Sequence, residues 1–183
     1  MIEQIRKFVE DECKKPTSKY GYEPFTDHFI PMVEYASVLA DEFKADKEIV
    51  MISAWLHDVG SIIYGREDHH VTSAKEAEKL LKMMNYPAER IEHIKKCILN
   101  HRGSVKNECV SSEEKIISDA DAMSAFENIT GIFKAAFVYE NLDQAEAKES
   151  ARNKLQNKWE QLYFKKSKEL IRPRYEAAML LLK

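Results

Sequence analysis

The chain has 183 residues, a length that suits one domain whose core is large enough to be stable without disulfides or structural zinc. Its formal net charge of -3 argues against a fold that grips duplex nucleic acid, because such folds carry a basic excess. No apolar run approaches a membrane span, and the three cysteines include no CxxC pair. These features predict a single cytoplasmic domain over residues 1–183 with no membrane partner.

Apolar residues recur three and four positions apart along most of the chain, which predicts an all-α helical array. In chain order, the interruptions between helices are expected at 15–24, 60–68, 85–87, 102–112 and 141–144. The segment 47–56 is apolar on most faces, which predicts a central helix. Gly60 is the expected stop just past the end of that helix.

Four histidines are expected to point into the core. His28 and His70 each open a stripe of apolar residues at helical spacing, His57 follows the central helix, and His101 follows three isoleucines in register. A lone inward histidine is usually a hydrogen-bonded core residue, but several together favour a shared site. His69 lines up with polar residues and is expected at the mouth of a pocket.

Two aspartates are also predicted to be buried. Asp58 follows the central helix, and Asp119 shares a face with apolar residues of a later helix. Burying a carboxylate without compensation costs roughly several kcal/mol, and no Lys or Arg lies in phase beside either one. A divalent cation would supply the missing charge, and the imidazoles of His28 and His57 would complete a mixed nitrogen and oxygen ligand set.

Other polar residues receive weaker assignments. Asp121 falls about 200° from Asp119 on an ideal helix, so it is expected to hold a neighbouring helix end or a cation instead of the metal. Three cations are candidates for binding substrate phosphate, although solvated surface positions are the simpler alternative; they are Arg66, Lys75 and Arg102.

The adjacent His57 and Asp58 in AWLHDVG, preceded by His28 and followed by Asp119 in ISDADAMSAF, resemble the H...HD...D signature of HD-domain phosphohydrolases. The resemblance covers about 27–133, with further similarity at HHVTSAKEA and ILNHRG. It implies an HD core over about 24–140 with C-terminal helices at 145–183 packed on it. It also implies that the four signature residues bind a metal that serves the hydrolysis of a phosphate ester or anhydride.

The sequence departs from two branches of this family. It has no GYP loop and only His101 where that branch has a histidine pair, which argues against cyclic dinucleotide cleavage. It also lacks the acidic pair that closely follows His-Asp in the alarmone hydrolases. A nucleotide or another small phosphorylated metabolite is therefore the expected substrate class, with monoester and pyrophosphate bonds both open.

The expected mechanism assigns catalytic roles to three residues. Asp58 aligns or deprotonates a metal-bound water, while His70 and His101 hydrogen-bond the charge that develops on the phosphoryl oxygens. The ligand set does not distinguish Mn²⁺, Mg²⁺, Fe²⁺, Co²⁺, Ni²⁺ and Zn²⁺, and a second metal is an alternative role for the two histidines. The alternative functions are a non-catalytic metal- and nucleotide-binding regulatory module and a purely structural helical protein.

Overall fold

The computed structural model describes residues 1–102 and 109–183, and within these ranges it contains helices and no strands. The α-helices are α1 Ile2–Lys14, α2 Ile30–Phe43, α3 Lys47–Leu56, α4 Val59–Tyr64, α5 His69–Met83, α6 Ala88–Asn100, α7 Ser112–Ser124, α8 Ile129–Lys134, α9 Gln144–Glu160 and α10 Lys165–Leu181. Two π-helical turns add to this set, Phe25–Phe29 before α2 and Ala135–Tyr139 after α8. The predicted all-α fold is confirmed.

The predicted central helix is α3, which is buried from Ile52 to Leu56 without interruption. It packs against α1, α2, α6 and α7, so it fills the middle of the helical array. Its first turn is fixed by Asp46, whose carboxylate accepts hydrogen bonds from the backbone N–H groups of Glu48 and Ile49. The central position of α3 carries its C-terminal end, and the residues that follow, into the interior.

The predicted break at 60–68 was wrong at its beginning, because Gly60 lies inside a helix. Only two residues separate α3 from α4, and Gly60 is buried in the first turn of α4. A Cβ at this position would lie 2.2 Å from Thr72 Oγ1 and 2.4 Å from the backbone nitrogen of Ser73. The missing side chain therefore lets α4 approach α5 closely, and the Gly60 N–H donates to Ser73 Oγ at 2.9 Å.

The predicted breaks at 15–24 and 85–87 fall between helices, and the break at 141–144 does so except for Gln144, the first residue of α9. The break at 102–112 lies partly outside the described residues. None of the described helices is long and apolar enough to cross a membrane.

The C-terminal helices α9 and α10 pack against each other and against α7. Helix α7 consequently has neighbours on every side, and its residues from Ile116 to Ser124 are all buried. Side chains on opposite faces of α7 therefore enter different parts of the interior, which decides where its two aspartates lie.

Candidate metal centre

Six ionisable side chains converge where several helices begin or end. His28 lies in the π-helical turn before α2, and His57 and Asp58 form the two-residue junction between α3 and α4. His69 is the first residue of α5, and His101 directly follows α6. Single π-helical turns are common at functional sites because they displace one side chain from the regular helical register. The sixth residue, Asp121, projects from the buried helix α7.

The imidazoles of His28 and His57 face each other through their Nε2 atoms, which are 3.0 Å apart. The Nδ1 atom of His57 lies 2.9 Å from the carbonyl oxygen of Ala54, which can only accept, so Nδ1 carries the proton. Burial lowers the pKa of His57 to about 3, which keeps the ring neutral. Its Nε2 atom therefore presents a lone pair.

His28 has the same tautomer for a related reason. Its Nδ1 atom lies 3.0 Å from the hydroxyl oxygen of Ser124. That hydroxyl donates its proton to the carbonyl oxygen of Asp121 at 2.8 Å, so it accepts from His28 Nδ1–H. When both rings are neutral, the two facing Nε2 atoms are both acceptors, and no proton joins them.

Two carboxylates complete this group of atoms. Asp58 Oδ2 lies 3.7 Å from His28 Nε2 and 3.9 Å from His57 Nε2. Asp121 Oδ1 lies 3.7 Å and 3.8 Å from the same two nitrogens. Two ligand atoms each about 2.1 Å from a common ion are about 3.0 Å apart at a right angle and farther apart at wider angles. The atoms of His28, His57 and Asp58 are close enough together to hold one ion, and Asp121 Oδ1 lies within 3.8 Å of both nitrogens.

A second group of potential ligands shares Asp58. His69 Nε2 and His101 Nε2 lie 3.3 Å and 3.6 Å from Asp58 Oδ1. Their Nδ1 atoms donate to the carbonyl oxygens of Arg66 at 2.9 Å and Ile98 at 2.6 Å. Asp58 Oδ1 itself is buried and has no hydrogen-bond partner among the described residues.

The pKa values reflect strong interactions between the carboxylates and the imidazoles of the cluster. Burial alone would lower the pKa of His101, but the adjacent carboxylate of Asp58 outweighs burial and raises it. Burial would raise the pKa of Asp58, yet its interactions with the neighbouring imidazoles lower it well below its ordinary value. Neutral imidazole nitrogens and charged carboxylate oxygens are suitable ligands for a divalent cation. The buried Asp58 Oδ1, which has no hydrogen-bond partner among the described residues, also fits such an ion. The residues present therefore fit the metal that the sequence predicts.

The structure does not bring Asp119 to this group, which corrects the predicted ligand set. The carboxylate of Asp119 accepts backbone hydrogen bonds from Tyr163 at 2.8 Å and Phe164 at 3.0 Å, at the start of α10. The two aspartates of α7 thus exchange their expected positions. Asp119 holds a helix end, while Asp121 faces the histidines. The periodicity argument assumed one buried face, but α7 is buried all round.

His70 also lies outside the two groups of potential ligands, and His69 occupies the place expected for it. His69 is buried on the face that includes Ser73, a polar residue that the sequence pattern assigned to solvent. Ser73 is interior because it accepts the Gly60 N–H across the close contact between α4 and α5. His93 is partly exposed and lies 3.5 Å from Glu113.

A cavity of about 1540 Å³ opens onto the cluster and is lined by five of its six side chains, with the fully buried His57 behind them. Arg66 and Arg102 line the cavity, as expected for phosphate contacts, whereas Lys75 is exposed and is not part of its wall. Three lysines that the sequence analysis did not single out also line the cavity; they are Lys134, Lys154 and Lys158.

Lys158 of α9 donates to Asp121 Oδ2. Helical spacing within the segment of Asp121 did not predict this cationic partner. The two residues are 37 positions apart in the sequence. Only the packing of α9 on α7 brings them together. A search for helical neighbours within one segment therefore could not find this pair.

Residues 25–125 match the HD domain family, which is more than half of the chain. Solved structures with similar folds include Bacillus subtilis YpgQ in complex with ADP, with a TM-score of 0.74 at 21% identity over 99% of this chain and 93% of that one. An HD-superfamily hydrolase from Bacillus thuringiensis has a TM-score of 0.74 at 18% identity over 98% and 91% of the two chains.

A predicted HD-superfamily hydrolase from an uncultured Thermotogales bacterium has a TM-score of 0.62 at 21% identity, over 99% of this chain and 87% of that one. No curated protein is significantly similar in sequence. The matched segment contains His28, His57, Asp58 and Asp121, so the family match and the cluster coincide. The chain belongs to the HD-domain family.

Proposed function

We propose that this protein is a metal-dependent phosphohydrolase that cleaves a phosphate ester or anhydride in a nucleotide or another small phosphorylated molecule. The observation that carries the proposal is the pair of facing Nε2 lone pairs of His28 and His57, flanked by two carboxylates. With both rings neutral, such a group of acceptors has no internal proton to share, and it lies in the wall of a cavity to which Arg66 and Arg102 also contribute.

The proposed metal ligands are His28, His57, Asp58 and Asp121, with Asp121 in place of Asp119. Their two carboxylates offset the charge of one divalent ion, and Lys158 pairs with the other oxygen of Asp121. When bound, such an ion lowers the pKa of a coordinated water toward neutrality and offsets the negative charge of a phosphate group. The identity of the metal is open among the first-row ions and Mg²⁺, because the mixed donor set does not select one.

Asp58 is the proposed proton acceptor. Its two oxygens face different groups, since Oδ2 points toward His28 and His57 while Oδ1 points toward His69 and His101. A carboxylate that uses one oxygen for a ligand can take a proton on the other. His69 Nε2 and His101 Nε2 lie within 3.6 Å of Oδ1 and can receive that proton.

His69 and His101 are further proposed to contact the phosphoryl group. Both line the cavity beside Asp58, so an imidazole that has gained a proton at Nε2 can donate it to a phosphoryl oxygen. The same two rings, with Asp58, form the second group of potential ligands, so a second metal at this position is the alternative.

The cavity wall includes cations that can contact a phosphorylated ligand, beside acidic residues that pair with three of its lysines. Arg66 and Arg102 lie beside the histidine cluster, and Lys154 and Lys158 project from α9. A guanidinium can bind two phosphate oxygens at once, while a lysine supplies a point charge. The similarity in fold to YpgQ, which binds ADP, supports a nucleotide as the ligand.

The experiment that tests the proposal combines metal analysis with turnover. Protein purified without chelator should contain stoichiometric divalent metal, and a panel of nucleotides and phosphoesters with added Mn²⁺, Mg²⁺ or Co²⁺ should release a phosphorylated product. Metal and nucleotide binding without turnover would instead support a regulatory module. A protein that binds no metal would contradict both functions.

A further inference from the structure

Two tyrosines form an aromatic pair in the wall of the cavity that contains the histidine cluster. Tyr20 and Tyr139 meet edge to face, with ring centroids 5.4 Å apart and an interplanar angle of 87°. Tyr139 is 52% exposed, which is unusual for a large aromatic residue inside a cavity. Neither hydroxyl has a hydrogen-bond partner among the residues that the structure describes.

The position of Tyr20 relative to the cluster follows from α4. The backbone N–H of Lys19 donates to the carbonyl oxygen of Ile62 at 3.0 Å, which holds the segment containing Tyr20 against α4. Ile62 is four residues after Asp58, so it lies roughly 6 Å farther along the helix axis. The backbone next to Tyr20 is thereby anchored about one helical turn along α4 from Asp58.

Ion pairs made by α9 hold the segment that contains Tyr139. Lys158 pairs with Asp121, and Lys154, one turn earlier on the same helix, pairs with Glu140 at 2.6 Å. Glu140 directly follows Tyr139 in the sequence. Tyr139 is thereby held close to α9, one residue before the partner of Lys154, and its ring meets that of Tyr20.

We infer that the Tyr20 and Tyr139 pair is a subsite for the base of a nucleotide whose phosphate lies at the histidine cluster. An edge-to-face pair leaves one face of a ring uncovered, and that face can stack on a planar base. Lys134 lies next to Tyr139 in the cavity wall, and its charge is paired with that of Glu23. This inference rests on the proposed function, because it assigns the non-phosphate part of that substrate.

A sugar phosphate without a base gains nothing from such a surface. Base stacking on an aromatic side chain is worth enough to change affinity by roughly tenfold or more. The subsite therefore predicts discrimination between two ligands that share ribose and phosphate and differ only in the base.

The test is calorimetric titration of the metal-loaded protein with AMP and with ribose 5-phosphate. The wild-type protein should bind AMP about tenfold or more tightly than ribose 5-phosphate. Tyr139→Ala should reduce that ratio to near one while leaving the affinity for ribose 5-phosphate within about twofold. Tyr139→Phe, which keeps the ring, should retain the preference for AMP.

Tyr64→Ala is the matched control, because Tyr64 is an exposed tyrosine that does not line the cavity. It should keep the wild-type ratio, and a loss of the AMP preference in this variant would overturn the assignment. Equal binding of the two ligands by the wild type, or an AMP preference that survives in Tyr139→Ala, would also overturn the subsite while leaving the phosphate site standing. If metal-loaded protein binds neither ligand, the proposed phosphate site fails and the subsite fails with it.

Discussion

His28 Nε2 and His57 Nε2 lie 3.0 Å apart although both atoms are hydrogen-bond acceptors. The protons of the two rings are committed elsewhere, to Ser124 and to the carbonyl oxygen of Ala54. Two facing lone pairs repel each other unless a positive charge lies between them. This relationship is the basis for the proposed cation, and the predictions below test that proposal.

Metal removal should lower thermal stability. A ligand at about 100 times its dissociation constant stabilises the folded state by about 2.7 kcal/mol. In a chain of this size, each kcal/mol moves the melting temperature by about 2–4 °C. Differential scanning calorimetry should therefore show a loss of about 5–11 °C after chelation and recovery when Mn²⁺ is added back. Identical melting curves with and without metal would argue against a resident ion.

His69 and His70 should differ sharply in their effect on turnover. His69→Gln removes an imidazole that lies 3.3 Å from Asp58 Oδ1, so kcat should fall by about 100-fold, the effect typical of a lost acid, base or phosphoryl contact. His70→Gln should leave kcat within about twofold, because His70 belongs to neither group of potential ligands. Steady-state kinetics on the substrate found in the panel would measure both. Equal losses in the two variants would contradict the assignment.

Gly60→Ala should destabilise the fold. The added Cβ would lie 2.4 Å from the backbone nitrogen of Ser73, and backbone cannot move aside as the tip of a side chain can. Overpacking of this kind costs typically about 1–3 kcal/mol. Urea denaturation should show the loss in the free energy of unfolding. An alanine variant as stable as the wild type would mean that α4 and α5 are not packed so closely.

Part of the candidate site could be predicted because residues of metal-binding type occupy positions that helical periodicity predicts to be buried. His57 and Asp58 follow a helix that is apolar on most faces, so their burial followed from the position of that helix. His28 and His101 are in register with apolar residues of their own segments, and the structure brings both to the cluster. The order of these residues also carried the family resemblance, which the match to the HD domain family confirms.

The remaining parts depend on tertiary packing, which the spacing of residues within one helix does not predict. The positions of Asp119 and Asp121 depend on α7 being surrounded by other helices. His69 turns inward because Gly60 admits a close contact between α4 and α5. Lys158 reaches Asp121 from a helix much later in the chain. In each case the missing information is which helices are neighbours.

Asp119→Asn should separate a structural aspartate from a proposed metal ligand. The asparagine keeps one acceptor for the backbone N–H groups of Tyr163 and Phe164 but turns an NH₂ group against the other. The free energy of unfolding should fall by about 1–3 kcal/mol, measured by urea denaturation. Metal content per folded chain should stay at the wild-type value.

The most direct test of the proposed metal centre is the metal content of Asp121→Asn, measured beside the wild type and Asp119→Asn after equilibration with limiting Mn²⁺. We expect Asp121→Asn to retain its helical circular dichroism and to bind Mn²⁺ at least about tenfold more weakly, because a neutral amide replaces a charged ligand. Full metal occupancy in Asp121→Asn, together with loss of metal in Asp119→Asn, would contradict the account.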